Sequence, residues 1–170
     1  HDASSQSVLI ADDAAFADAV AAEVERQLAL LPRREIAEKS WREHGAIILV
    51  GKLEDAAAIS DAIAPEHLEI ATADPDALAA RVRHAGAIFL GRYTPEAIGD
   101  YIAGPNHVLP TSRTARFSSG LSVLDFMKRS SVVSCDAEVL AKLGTSALAL
   151  AKAEGLDAHG RSIAIRLNRT

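Results

Sequence analysis

The sequence predicts an α/β domain with a mostly parallel sheet, followed by a helical C-terminal tail. Short apolar runs alternate with longer segments of helical periodicity along the N-terminal part of the chain. The runs "SVLIA", "AIILV" and "AIFLG" are predicted strands, and "AIILV" is apolar on both faces, as in a parallel sheet. The repeated order of strand, helix and strand indicates right-handed crossovers in a Rossmann-like arrangement.

The first elements carry clear local signals. The strand at 7–11 leads into a helix that Asp12 or Asp13 can cap and that Pro32 ends. The elements predicted after it are a helix closed by Gly45, a strand at 46–50, a helix at 53–64, a strand at 67–72, a helix at 74–86 with Pro75 in its first turn, and a strand at 87–91.

The character of the sequence changes after Gly91. Residues 91–122 are rich in Gly, Pro, Ser and Thr and contain no long periodic run. A loop of this length inside a compact domain is typical of a functional segment. The elements expected after it are a short helix at 123–129, a short strand at 131–135 with Cys135 as a core residue, a long helix bounded by Asp136 and Gly155, and a last helix that starts near Asp157 or Ala158.

Composition narrows the classes of function. The chain has 170 residues and a net charge of −5, from 18 Lys and Arg against 23 Asp and Glu, which gives no support to a nucleic-acid or anionic-membrane partner. No segment reaches the roughly 18 apolar residues that cross a bilayer, and no signal peptide is recognisable. The single cysteine excludes an internal disulfide and a multi-thiolate metal site, so we expect a cytoplasmic protein. A chain that begins with His1 rather than Met is expected to be a piece of a longer protein.

In the stretch "PEHLEI", a carboxylate stands directly beside an imidazole at Glu66 and His67. Imidazole is the side chain best suited to move protons near neutral pH, and the glutamate could make a second transfer. The pair also fits the entrance of a half-buried strand, and ligands of open α/β sheets lie beyond the carboxyl ends of the strands, not their starts. The residues alone favour this structural interpretation over the catalytic one.

A second candidate lies in "GDYIAGPNHVLPT", where glycines and prolines surround Asp100, Asn106 and His107. Asp and His are suitable ligands for a borderline cation such as zinc. An Asp-capped turn, with His107 bonded to the backbone, explains the pattern equally well. There is no HExxH helix, so further ligands would come from distant positions such as His1 and His159. No GxGxxG or Walker pattern marks a nucleotide site.

Three stretches, "APEHLEI", "GAIFLGRYTPEAIGDYIAGPNHVLPTSRTARFSSGLSVLDFMKRSSVVSC" and "AEGLDAHGRSIAIR", together resemble the C-terminal part of the histidinol dehydrogenases. The resemblance runs from His1 to Arg169. It implies a cytoplasmic, homodimeric enzyme of histidine biosynthesis that depends on Zn²⁺ and NAD. Such enzymes oxidise L-histidinol through L-histidinal to L-histidine and consume two NAD.

The resemblance also implies roles for individual residues. His67 would accept protons from the alcohol and later from the hydrated aldehyde, and Glu66 would activate the water that adds to the aldehyde. The zinc ligands that it implies are His1, Asp100 and His159. The substrate contacts that it implies are His1, His67, Asp100, His107, Glu154 and His159. Zinc in this family orients the substrate, so its ligands are also substrate contacts.

The resemblance further divides the chain into two regions. Residues 1–128 correspond to the second part of a Rossmann-like catalytic domain, and residues 129–170 to a helical arm of the dimer. Glu154 and His159 would therefore complete the active site of the partner subunit. Most of the NAD-holding domain would precede His1, so residues that bind NAD stay unassigned and the 170-residue chain alone is expected to be inactive.

Two rival hypotheses come from other classes of function. One is a metal-dependent hydrolase that uses Asp100, His107 and His159. The other is a non-enzymatic module that binds a metal or a small ligand on an α/β scaffold, because a fold does not determine a function.

Overall fold

The computed structural model describes residues 2–168 and shows an α/β chain with short parallel strands. The strands are β1 (Val8–Ala11), β2 (Ala46–Leu49), β3 (His67–Ile70) and β4 (Ala87–Leu90). The α-helices are α1 (Ala14–Leu28), α2 (Arg34–His44), α3 (Ala56–Ile63), α4 (Pro75–Ala79), α5 (Glu96–Tyr101), α6 (Ala137–Ala153) and α7 (Asp157–Arg166). The predicted α/β class and the parallel pairing are confirmed.

The strands pair as two two-stranded parallel sheets. β1 pairs with β2 from Val8 opposite Ala46 to Ala11 opposite Leu49. The crossover between them begins with α1, whose first turn is capped by the Asp13 carboxylate, which accepts the N–H of Phe16 at 3.0 Å. The predicted cap is thus present, and it fixes where the chain turns from strand to helix.

β3 and β4 form the second sheet, from His67 opposite Ala87 to Ile70 opposite Leu90. The helix between them, α4, is shorter than the predicted 74–86. After Ala79 the N–H groups of Arg81 and Val82 bond to carbonyls three residues back, in single turns. Beyond them the Asp61 carboxylate accepts the N–H groups of Arg83 and His84 at 2.8 and 2.9 Å. These amides therefore bond to a side chain of α3 instead of continuing the helix.

The predicted strand at 131–135 is wrong. Within residues 2–168 both sheets contain two strands, and neither includes this segment. Val132 is 93% exposed, and Cys135 is exposed rather than a core residue. A β-propensity run without a neighbouring strand has no partner for its backbone groups, so water hydrates them. The helix expected at 123–129 is a single 3-10 turn, Val123–Phe126.

The chain divides into two compact units between Phe126 and Met127. The buried core of the first unit is built mainly from alanines together with Leu28, Ile70 and Phe89. In the second unit, α6 and α7 pack closely because Gly144 has no side chain: a Cβ there would lie 2.6 Å from Leu167 Cδ1. None of the described helices is long and apolar enough to cross a bilayer.

Candidate active site

The candidate site lies where strand β3 packs against helix α5, inside the first unit. β3 begins at His67, and α5 carries Glu96 and Asp100 one helical turn apart on the same face. In the sequence, 25 residues (71–95) lie between the end of β3 at Ile70 and the start of α5 at Glu96. Because β4 pairs with β3 and α5 follows β4 in the chain, α5 lies against β3.

The central contact joins His67 and Asp100. His67 Nε2 lies 3.2 Å from Asp100 Oδ1, within hydrogen-bonding distance, and the two side chains are only 25% and 21% exposed. Glu96 Oε1 lies 3.8 Å from the same nitrogen. Two carboxylates therefore face one imidazole in a partly buried setting, which limits the rotation of the ring.

Two neighbours determine where the ring and the helix sit. The ring of His67 lies 5.9 Å from the ring of Phe89, centroid to centroid, at an angle of 34°. On the helix, a Cβ added at Gly99 would lie 2.1 Å from Phe89 Cε1. Because residue 99 has no side chain, α5 approaches β4 closely, and the adjacent Asp100 reaches His67.

Glu96 is a site residue that the sequence interpretation missed. Burial raises the pKa of its carboxyl, and a hydrogen bond and charge repulsion from Asp100 raise it further, while His67 acts in the opposite direction. The available signal was the four-residue spacing of Glu96 and Asp100 in "PEAIGD", which places two acids on one helix face. That spacing is also common on solvated helices, so it does not identify a site by itself.

The donor set suits a divalent cation. One nitrogen of His67 and one carboxylate oxygen each from Glu96 and Asp100 all lie within 4.8 Å of one another. Imidazole nitrogen and carboxylate oxygen are normal zinc ligands. Of the zinc ligands implied by the resemblance, only Asp100 belongs to this cluster. His1 lies outside the described residues, and His159 lies in the second unit.

The other predicted site residues occupy separate positions. Glu66 is partly buried immediately before β3, and its backbone carbonyl accepts the N–H of Ala87 at 2.9 Å. His107 is exposed in the loop after α5, next to a turn in which Asn106 Oδ1 accepts the N–H of Val108 at 2.7 Å. The turn is capped by Asn106 rather than by an Asp, and no hydrogen bond of the His107 side chain is found among the described residues.

Two predicted residues lie in the second unit, at the junction of its helices. Glu154 is exposed and follows α6 directly. His159 is exposed in the first turn of α7, and its backbone carbonyl accepts the hydroxyl of Ser162 at 2.9 Å. Gly155 separates the helices with a φ of 70°, the left-handed conformation predicted for the end of α6.

Comparison with known proteins adds an independent observation. A family model described as histidinol dehydrogenase matches residues 1–167. The chain is 72% identical over 170 residues to the histidinol dehydrogenase of Rhodospirillum rubrum and 61% identical over 168 residues to that of Rhizobium meliloti. Each alignment covers 99% of this chain and 39% of the relative, so the chain spans well under half of these relatives.

A solved structure agrees with the sequence relatives. The crystal structure of histidinol dehydrogenase from Elizabethkingia anophelis matches with a TM-score of 0.85 and 33% sequence identity. The match covers 99% of this chain and 39% of that chain. The arrangement of strands and helices around His67 and Asp100 is therefore contained in a fold that this relative shares.

Proposed function

Because the chain belongs to the histidinol dehydrogenase family, we propose that it supplies part of the active site of an enzyme that oxidises L-histidinol through L-histidinal to L-histidine. The observation that carries the proposal is the partly buried contact of 3.2 Å between His67 and Asp100. These are residues to which the family resemblance assigns proton transfer and zinc binding.

His67 is the proton acceptor in this proposal. When the alcohol is oxidised, a hydride leaves its carbon and a proton leaves its oxygen, so a base beside the hydroxyl is needed. If His67 donates Nε2–H to Asp100, the lone pair of Nδ1 is left to accept that proton. Asp100 then stabilises the imidazolium that forms. NAD, when bound, takes up the hydride, once in each of the two oxidation steps.

Glu66 is the proposed base for the water that adds to the aldehyde. It lies directly before His67 at the start of β3 and is partly buried. A carboxylate and an imidazole of different basicity can thus serve the same carbon in successive steps.

Asp100 would be one of the residues that hold zinc, as the resemblance implies, and a carboxylate has acceptor sites on both oxygens, so this role is compatible with its contact to His67. His1 and His159 are the further ligands implied by the resemblance. Zinc, when bound, orients the imidazole and amino groups of the substrate. We propose that Glu154 and His159 act in the partner subunit's site of a cytoplasmic homodimer, and that His107 contacts the substrate.

The test compares two variants of the native protein, with zinc measured by elemental analysis and NADH formation followed from L-histidinol. His67→Asn should lose nearly all turnover and keep its zinc, and Asp100→Ala should lose zinc and turnover together. Undiminished turnover in His67→Asn, or unchanged zinc in Asp100→Ala, would contradict the proposal. The 170-residue chain alone should form no NADH. No comparison favours the alternatives of a metal-dependent hydrolase or a non-enzymatic binding module.

A further inference from the structure

We propose that Glu69, the second acid of "PEHLEI", is a positioning residue that fixes helix α5 and thereby places Asp100 beside His67. The inference rests on the proposed function only in the roles given to His67 and Asp100. The hydrogen bond between Glu69 and the backbone of Glu96, on which the inference is based, does not depend on the proposed function.

Glu69 caps α5 from a distant part of the chain. Its Oε1 accepts the backbone N–H of Glu96 at 2.7 Å, a bond between residues 27 positions apart. The N-cap residue of this helix is Pro95, whose side chain makes no capping hydrogen bond. The first amides of a helix need an acceptor from outside the helix, and a carboxylate at this end also meets the positive end of the helix dipole.

Two side chains on one face of β3 contact the two ends of helix α5. His67 and Glu69 are two residues apart, so their side chains leave the strand on the same side. Glu69 bonds to the start of α5, and His67 meets Asp100 near its end. β3 and α5 are thus joined by two side-chain contacts, which meet the helix one turn apart.

A helix of this size depends on such contacts. α5 has six residues, and a helix of that length does not form stably in water on its own. The Glu69 carboxylate is outside the group of donor atoms formed by His67, Glu96 and Asp100. It bonds to α5 at the backbone N–H of Glu96, and its charge also contributes to the raised pKa of the Glu96 carboxyl. Without this acceptor, fewer molecules should hold Asp100 in place, and apparent zinc affinity falls by the same fraction.

The experiment uses Glu69→Ala and Glu69→Gln in the native protein. Glutamine keeps a carbonyl oxygen that can accept the Glu96 N–H, whereas alanine removes the acceptor. Glu54→Ala is the matched control, because Glu54 is an exposed glutamate for which the described part of the chain shows no side-chain hydrogen bond or ion pair. Amide hydrogen exchange at Glu96 and zinc affinity by chelator competition are measured, with circular dichroism to verify folding.

We expect Glu69→Ala to speed exchange of the Glu96 amide about tenfold, the fold-change that corresponds to the lower end of the free energy of a hydrogen bond to a charged group. Zinc binding should weaken by up to the same factor, in proportion to the fraction of molecules that still hold Asp100 in place. Glu69→Gln should stay within about threefold of the native protein on both measures. Glu54→Ala should match the native protein. If Glu69→Ala does not fold, Glu69→Met takes its place, since it keeps the length of the side chain and has no oxygen acceptor.

Unchanged amide exchange or unchanged zinc affinity in the alanine variant would overturn the inference. So would a glutamine variant as impaired as the alanine variant, because the hydrogen bond would then not be the cause. Neither measurement needs turnover. A native protein that fails to oxidise L-histidinol would refute the proposed function and leave the exchange result to decide the role of Glu69.

Discussion

Replacing Gly99 by alanine would place a methyl group against the ring of Phe89, and this substitution tests how α5 is held in place. The added Cβ would lie 2.1, 3.0 and 3.2 Å from three ring carbons, all well inside contact distance. Phe89 is only 7% exposed, so the ring has little room to move away. The helix must therefore shift outward, which lengthens the contact of 3.2 Å between His67 and Asp100.

The expected cost follows from two opposing effects. Overpacking a core by a methyl group costs about 1–3 kcal/mol, and a distance of 2.1 Å points to the upper end. Alanine is better than glycine inside a helix by about 1 kcal/mol. Gly99→Ala should therefore lower the free energy of unfolding by about 2 kcal/mol. Zinc affinity should fall with it, because Asp100 moves with the helix.

Denaturant unfolding of the native protein, followed by circular dichroism, measures the change. Gly51→Ala is the matched control, because no atom lies within 4 Å of a Cβ built at Gly51, and it should stay within about 0.5 kcal/mol. The double variant Gly99→Ala with Phe89→Leu tests the cause, since removing the ring relieves the clash and the two effects should not add. If Gly99→Ala is as stable as the native protein, or if the double variant shows simple additivity, the packing argument is wrong.

Three further outcomes are expected. Gly144→Ala should cost about 1 kcal/mol in the unfolding free energy, less than at Gly99, because the atom it meets at 2.6 Å is a terminal methyl of Leu167 that can rotate away. The pKa of the Glu96 carboxyl is raised in the folded state, so ionisation of this group lowers the free energy of unfolding as the pH rises above its ordinary pKa of 4.5. Glu96→Gln should flatten that decline in the metal-free protein. An unchanged dependence of the unfolding free energy on pH would contradict the prediction. Mixing inactive His67→Asn and His159→Ala subunits should restore some L-histidinol oxidation if the arm serves the partner's site, and zero recovery after verified subunit exchange would argue against that arrangement.

Local signals predicted most elements of the fold correctly. Asp13 and Asp136 cap their helices with side-chain bonds to the third following amide, and a helix ends at Gly45. Such signals act within a few residues, so the sequence contains them in full. The predictions failed where distant parts of the chain decide the local structure. The amides of Arg83 and His84, expected within α4, bond to the Asp61 carboxylate, and the strand expected at 131–135 has no partner strand among residues 2–168.

By itself the sequence determined the α/β class, the family, and the candidates Glu66, His67 and Asp100, because these depend on motif order and local pattern. Only the tertiary structure decided that His67 and Asp100 are in contact and that Glu96 joins them. It also decided that Glu69 caps α5, since that bond spans 27 residues. Contacts of this kind arise from strand register and from the close packing that a glycine on α5 allows. Neither the register between two strands nor the close approach of a helix to a sheet can be predicted from the spacing of residues along the chain.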